Sequence, residues 1–191
     1  MAESPSITRS NTRGHAAFLY NTSDDRFEVL AKYFKEGVEA GELCVFVTAD
    51  EPDVAGDKFV ELGFAIHEPI QSGQLRIFGM TDIYLPDGRF AANYMLANVE
   101  SFIKEARSLG YKGLRTAGEM SWIYDHPEFI EESHRYEDQI NGLGDQNPDF
   151  IGLCLYPVKD QFAKVMHDAS GTHPTFIYNG EPMANLHYLV S

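Results

Sequence analysis

The chain predicts an α/β fold: a three-layer arrangement with a mostly parallel β-sheet and helices on both faces. Two observations carry this. Short β-rich apolar runs alternate with segments of helical period along the 191 residues. Several of those runs ("HAAFLY", "LCVFVT", "FIGLCLYP") are apolar throughout rather than alternating, as strands buried on both faces are. The length suits one domain with a sizeable core, residues 14–191, preceded by a flexible tail, 1–13, that is polar and has no apolar period.

The elements follow in order. "HAAFLY" (15–20) is the first strand. In "NTSDD", Thr22 or Ser23 can cap a helix, and Asp24 and Asp25 suit its positive end. Phe27, Leu30, Phe34 and Val38 then recur at helical spacing until Gly41. The second strand is 43–48, and a helix runs from Pro52 to about Gly63. "QLRIFG" (74–79) is the third strand, followed by a loop, "MTDIYLPDGRF". Residues 90–109 form the longest helix, stopped by Gly110. "GLRTAGEMSW" (113–122) is the fourth strand and its exit, 127–142 a helix, 150–157 the fifth strand, 158–169 a helix and "PTFIYN" the sixth strand.

Charge excludes several partners. A formal net charge of −14 leaves no basic stripe for phosphates, so direct nucleic-acid binding is not expected, and an anionic membrane repels the chain. No signal peptide and no membrane-length apolar stretch stands in the sequence, which reads as cytoplasmic. The two cysteines, Cys44 and Cys154, lie in apolar runs and form no CxxC pair.

Catalytic motifs are mostly missing. There is no GxxxxGK[ST], no GxGxxG, and "GEMSW" has Trp122 where a nucleophile elbow needs glycine. Glu131 and His134 share an E-x-x-H spacing without a second copy, and read as a solvated helix face. Glu137 and Asn141, four apart on that helix, can face the sheet instead.

Parallel sheets bind ligands outside the carboxyl ends of their strands, which sorts the remaining polar residues. Tyr20, Glu119, Trp122 and Tyr156 stand at strand exits, and His15 and His173 at strand starts, where the two are neighbours if their strands are adjacent. Across a six-residue strand, roughly 16–20 Å, His15 and Tyr20 do not share a small site. Arg115 and Glu119 point to one face, because their spacing is even. Two readings are open: an internal ion pair, or a carboxylate that meets a small polar ligand beside the Trp122 indole. His15, Cys154 and His173 are weak candidates for a zinc or iron site, and structural histidines are the commoner outcome.

Read in order, "GHAAFLY", "EGVEAGELCVFV", "YLPDGRF", "LRTAGEMSW", "RYEDQIN", "LCLY" and "THP" resemble the MEDS family, the methanogen/methylotroph sensory domain, over residues 14 to 180. The resemblance implies a RecA/KaiC-like core stripped of its phosphate loop, serving signal transduction and transcription regulation by sensing small hydrocarbon derivatives or metabolites. Carried onto this chain, its motif positions are His15, Tyr20, Tyr84, Arg115, Glu119, Trp122, Glu137, Asn141, Cys154, Tyr156 and His173.

The resulting expectation is a cytoplasmic, non-catalytic sensory domain with no cofactor. Its small-molecule ligand meets Tyr20, Tyr84, Arg115, Glu119, Trp122 and Tyr156, with Arg115 bracing Glu119 or pairing with an anionic ligand, and the Tyr84 loop acting as a lid. No output module follows the sixth strand, so the signal passes to a separate kinase or transcription regulator, or through self-association. The alternatives are a ligand-free interaction module derived from an inactive ATPase, and a metal-assisted hydrolase using His15, Cys154 and His173.

Overall fold

The computed structural model describes residues 6–12, 14–158 and 162–188. Its elements are α1 (Arg9–Thr12), β1 (His15–Tyr20), α2 (Ser23–Ala40), β2 (Leu43–Thr48), α3 (Pro52–Glu61), α4 (His67–Gln71), β3 (Leu75–Gly79), α5 (Met80–Tyr84), α6 (Ala92–Ser108), β4 (Leu114–Glu119), α7 (Trp122–Asp125), α8 (Ile130–Gln146), β5 (Phe150–Pro157), α9 (Phe162–Ser170), β6 (Thr175–Tyr178) and β7 (Glu181–Ala184). The seven strands form one sheet in the order β3-β2-β4-β5-β1-β6-β7. All pairings are parallel except β6 with β7, an antiparallel hairpin turned at Asn179 and Gly180, both at positive φ (51° and 75°).

Handedness decides where the helices lie. Connections running outward toward β3 lay α2 and α3 on one face, and those running back lay α6, α8 and α9 on the other, as right-handed crossovers require. The α2 face is aromatic, with Phe27, Phe34, Phe46 and Phe59 in edge-on and tilted contacts. The opposite face is aliphatic at its centre (Val45, Val47, Met95, Val99) and polar at His15, Glu137 and His173.

Local chemistry explains the best-defined helix. The Thr22 hydroxyl accepts from the Asp25 amide at 3.1 Å, the Asp25 carboxylate accepts from the Thr22 amide, and Gly41 ends the helix at φ 79°. Several expectations need correction. Residues 6–12 of the expected flexible tail are packed: Ile7 is buried, and Arg9 donates to the carbonyls of Phe150 and Gly144. The remainder of that tail, 1–5 and 13, lies outside the described residues, as do 159–161 of the helix expected at 158–169. The loop expected after β3 begins as α5 and buries Tyr84. Two further helices, α4 and α7, and the strand β7 were not expected, because four- and five-residue elements show too little of a period to read.

Candidate functional site

The sheet divides the expected site residues into three groups. At the carboxyl ends, on the α2 face, stand Tyr20, Arg26, Asp50 and Glu119. Glu119 is fully buried: its Oε2 accepts from the Tyr20 hydroxyl at 2.9 Å and from Arg26 Nη1 at 2.7 Å, and its Oε1 from the Ser121 amide at 3.2 Å. The second arm of Arg26 donates to Asp50. Burial pushes the Glu119 carboxyl above its ordinary value, and Arg26, Tyr20 and Ser121 offset only part of that. Burial likewise pushes the Tyr20 hydroxyl up, so it stays a donor.

Arg115 does not brace Glu119. The two share a face, as their spacing requires, but lie four residues apart along β4, about 13 Å. Arg115 Nε donates to Glu42, its Nη1 to the Tyr33 carbonyl at 3.1 Å, and its guanidinium lies 4.5 Å from the Tyr33 ring centre. Gly37 makes room for it: a Cβ there would stand 2.6 Å from Arg115 Cδ. Arg26, which the sequence reading passed over, takes the bracing role. Its one available signal was a cation in the first turn of a helix, where the dipole disfavours positive charge.

Tyr84 and Trp122 lie across the sheet from Glu119. Their rings stack at 5.5 Å with 25° between planes, and Phe90 sits 4.6 Å from Trp122. The Tyr84 hydroxyl reaches over Gly118, where a Cβ would be 2.0 Å away. Beside it, between the sheet and α6 and α8, is a cavity of about 50 Å³. Gly118, Gly152 and Thr116 line its floor, and Val45, Met95 and Val99 are among its walls. Its incompletely buried lining residues are Thr116 on the floor and Ile83, Asn98 and Phe102 on α5 and α6. His15 and Cys154 border the same space.

The third group is wholly buried. His15 (β1), Cys154 (β5), Glu137 (α8) and His173 (ahead of β6) point into one volume, with donor atoms all within 4.8 Å of one another. Glu137 Oε2 lies 3.0 Å from His15 Nε2 and 3.2 Å from both His173 Nε2 and Cys154 Sγ. The Tyr156 hydroxyl donates to the other carboxylate oxygen, Oε1, at 3.4 Å. Asn141 Oδ1 accepts from His15 Nδ1 at 2.9 Å, and the Asn141 amide donates to the Thr172 carbonyl. Burial raises a carboxyl, but the imidazoles, His173 ahead of His15, outweigh it and hold Glu137 well below the usual carboxylate range. Burial, reinforced by Glu137, pushes the Cys154 thiol far up. Burial and then His15 press the His173 imidazole down, despite Glu137.

The expected ligand set of six is therefore not one constellation. Tyr20 and Glu119 share one cluster, Arg115 has its own partners, Tyr84 and Trp122 are stacked across the sheet, and Tyr156 belongs with Glu137. The separation of His15 from Tyr20 is as expected. So is the proximity of His15 and His173, whose rings lie 4.4 Å apart because β1 pairs with β6.

The sequence model of the methanogen/methylotroph DcmR sensory domain, MEDS, matches residues 14–174. The transcriptional repressor DcmR of Methylorubrum extorquens (strain DSM 6343 / CIP 106787 / DM4) is 30% identical over 162 residues, which cover 83% of this chain and 57% of that protein. The chain thus spans somewhat over half the length of this curated relative. The KaiC-like protein PH0186 of Pyrococcus horikoshii OT3 superposes with a TM-score of 0.58 at 15% identity, over 87% of this chain and 69% of that one, a likeness of fold.

Proposed function

The chain belongs to the MEDS family of sensory domains, and from that premise we propose that it senses a small, largely apolar organic molecule held in the cavity between the sheet and α6. The observation that carries this is the cavity itself. Close-packed interiors rarely leave more than a water-sized void, and about 50 Å³ exceeds the roughly 10–15 Å³ that one water needs. The space fits a molecule of a few non-hydrogen atoms, the size of a simple hydrocarbon derivative.

The lining suits such a ligand. Val45, Met95 and Val99 offer apolar contact, and Thr116 and the Tyr84 hydroxyl offer polar contact. Glu119 is left out of this reading, since both of its oxygens already accept hydrogen bonds inside the protein. Ile83, Asn98 and Phe102 mark a way in between α5 and α6. A ligand that favours one arrangement of α5 and α6 shifts the population toward it. A separate regulator, or a second copy of the chain, reads the change. The likeness to a transcriptional repressor supports a regulatory setting and a non-enzymatic role.

Thermal-shift titration with one- to three-carbon alcohols and halocarbons tests the reading. At least one compound raises the melting temperature of the native chain, Val99→Phe abolishes that rise by filling the cavity, and Glu119→Gln preserves it. A rise that survives Val99→Phe and disappears in Glu119→Gln refutes the cavity and moves the ligand to the carboxyl ends.

A further inference from the structure

The buried His15, Glu137, Cys154 and His173 cluster brings four metal-ligating atoms within 4.8 Å of one another. The Asn141 amide donates to the Thr172 carbonyl at 2.6 Å, which turns Asn141 Oδ1 toward His15 Nδ1 and makes that nitrogen the donor. His173 Nδ1 lies 3.1 Å from the Ala169 carbonyl, which can only accept, and 2.9 Å from the Thr172 hydroxyl, which can either donate or accept. The two Nε2 atoms lie 3.0 and 3.2 Å from the one carboxylate oxygen Glu137 Oε2. His173 Nε2 is completely buried and makes no hydrogen bond. The Cys154 thiol lies 3.2 Å from both that oxygen and His15 Nε2, and can donate to only one of them.

A proton on the His173 ring serves its contact with Glu137, and the thiol is then the donor within reach of His15 Nε2. A proton on each ring buries two imidazolium ions, 4.4 Å apart, against a single carboxylate. A divalent cation satisfies all four atoms at once. Cys154 gives up its thiol proton to solvent on coordination, and the dication, the thiolate and the carboxylate then sum to zero charge.

We propose that His15 Nε2, His173 Nε2, Cys154 Sγ and Glu137 Oε2 form a closed four-ligand site for a divalent transition metal of the zinc class. Nitrogen, sulfur and oxygen donors in this mixture suit zinc, and four protein ligands with none left open make the site structural in type. Zinc bond lengths of about 2.0–2.3 Å place tetrahedral ligand atoms roughly 3.3–3.8 Å apart, so the 3.0–3.2 Å spacings to Glu137 open slightly and the widest, up to 4.8 Å, close by about 1 Å. The outer contacts are those of a metal site: each imidazole donates its far N–H to an amide oxygen, and Tyr156 occupies the second carboxylate oxygen, leaving one for the metal. The ion ties α8 to β1, β5 and the start of β6. The proposal rests on these contacts and is independent of the small-molecule reading.

The test is metal analysis of the chain expressed in medium supplemented with zinc, and separately with cobalt. About one ion per chain is expected to survive gel filtration. The cobalt form shows the ligand-field bands of tetrahedral geometry together with a thiolate-to-metal charge-transfer band in the near ultraviolet. Cys154→Ser, which keeps shape and volume, abolishes the charge-transfer band, and His173→Gln lowers occupancy at least tenfold. If a variant does not fold, the wild-type stoichiometry and spectrum still decide the matter. Wild-type protein with no stoichiometric metal from either medium overturns the proposal. So does bound cobalt whose spectrum is unchanged by Cys154→Ser, which would place the ion elsewhere.

Discussion

Replacing Arg26 with methionine removes the cation that faces Glu119 while keeping an unbranched side chain of comparable reach. Arg26 is 4% exposed and Glu119 0%, so the surviving carboxylate has no water to turn to. Removing one partner of a buried ion pair costs about 3–5 kcal/mol. The Tyr20 hydroxyl and Ser121 amide remain as donors to Glu119, so the lower end, about 3 kcal/mol, applies. For a chain of this length each kcal/mol moves the melting temperature by about 2–4 °C, giving a fall of about 6–12 °C at pH 7.5. The pH dependence follows from the sign of the shift. Burial already raises the Glu119 carboxyl above 4.5, and loss of Arg26 raises it further. A carboxyl that binds its proton more tightly in the folded state makes stability rise as pH falls from the folded toward the unfolded value. The deficit of Arg26→Met relative to wild type therefore shrinks between pH 7.5 and about 5, and adding Glu119→Gln to it restores most of the loss at pH 7.5. Circular-dichroism melts of the single and double variants at both pH values read this directly. A fall below about 3 °C, or a deficit that does not change with pH, refutes the internal-pair reading. In the parallel cycle, Arg115→Met and Glu119→Gln add to within about 0.5 kcal/mol, because the two residues stand too far apart to couple.

Two other predictions rest on single contacts. Gly118→Ala puts a Cβ 2.0 Å from the Tyr84 hydroxyl, so the variant loses about 1–3 kcal/mol, and Tyr84→Phe in the same chain recovers part of it; a melt of Gly118→Ala indistinguishable from wild type refutes the contact. Burial leaves the Cys44 thiol pushed up to about 12 and unexposed, so in Cys154→Ser a disulfide reagent at pH 8 titrates no thiol in the native protein and one after unfolding in guanidinium.

Local pattern and chain direction were enough to read the layered α/β fold, the principal strands and longer helices, and a cap at Thr22 or Ser23, because each depends on residues within one or two turns of one another. The common face of Arg115 and Glu119 was legible for the same reason, since a strand's period is a local property. The closeness of His15 to His173 depended on strand order, and the sequence could only make it conditional on their strands being neighbours. What tertiary structure decided was pairing across the chain: Arg26 rather than Arg115 for Glu119, Glu42 and Tyr33 for Arg115, and Tyr84 over Gly118 rather than open to solvent. It also decided that Glu137, from a helix, completes the His15, Cys154 and His173 group contributed by and beside three strands. Periodicity states which face a side chain takes, whereas the partner waiting there is set by crossover handedness and sheet order, and these bring together residues more than a hundred positions apart.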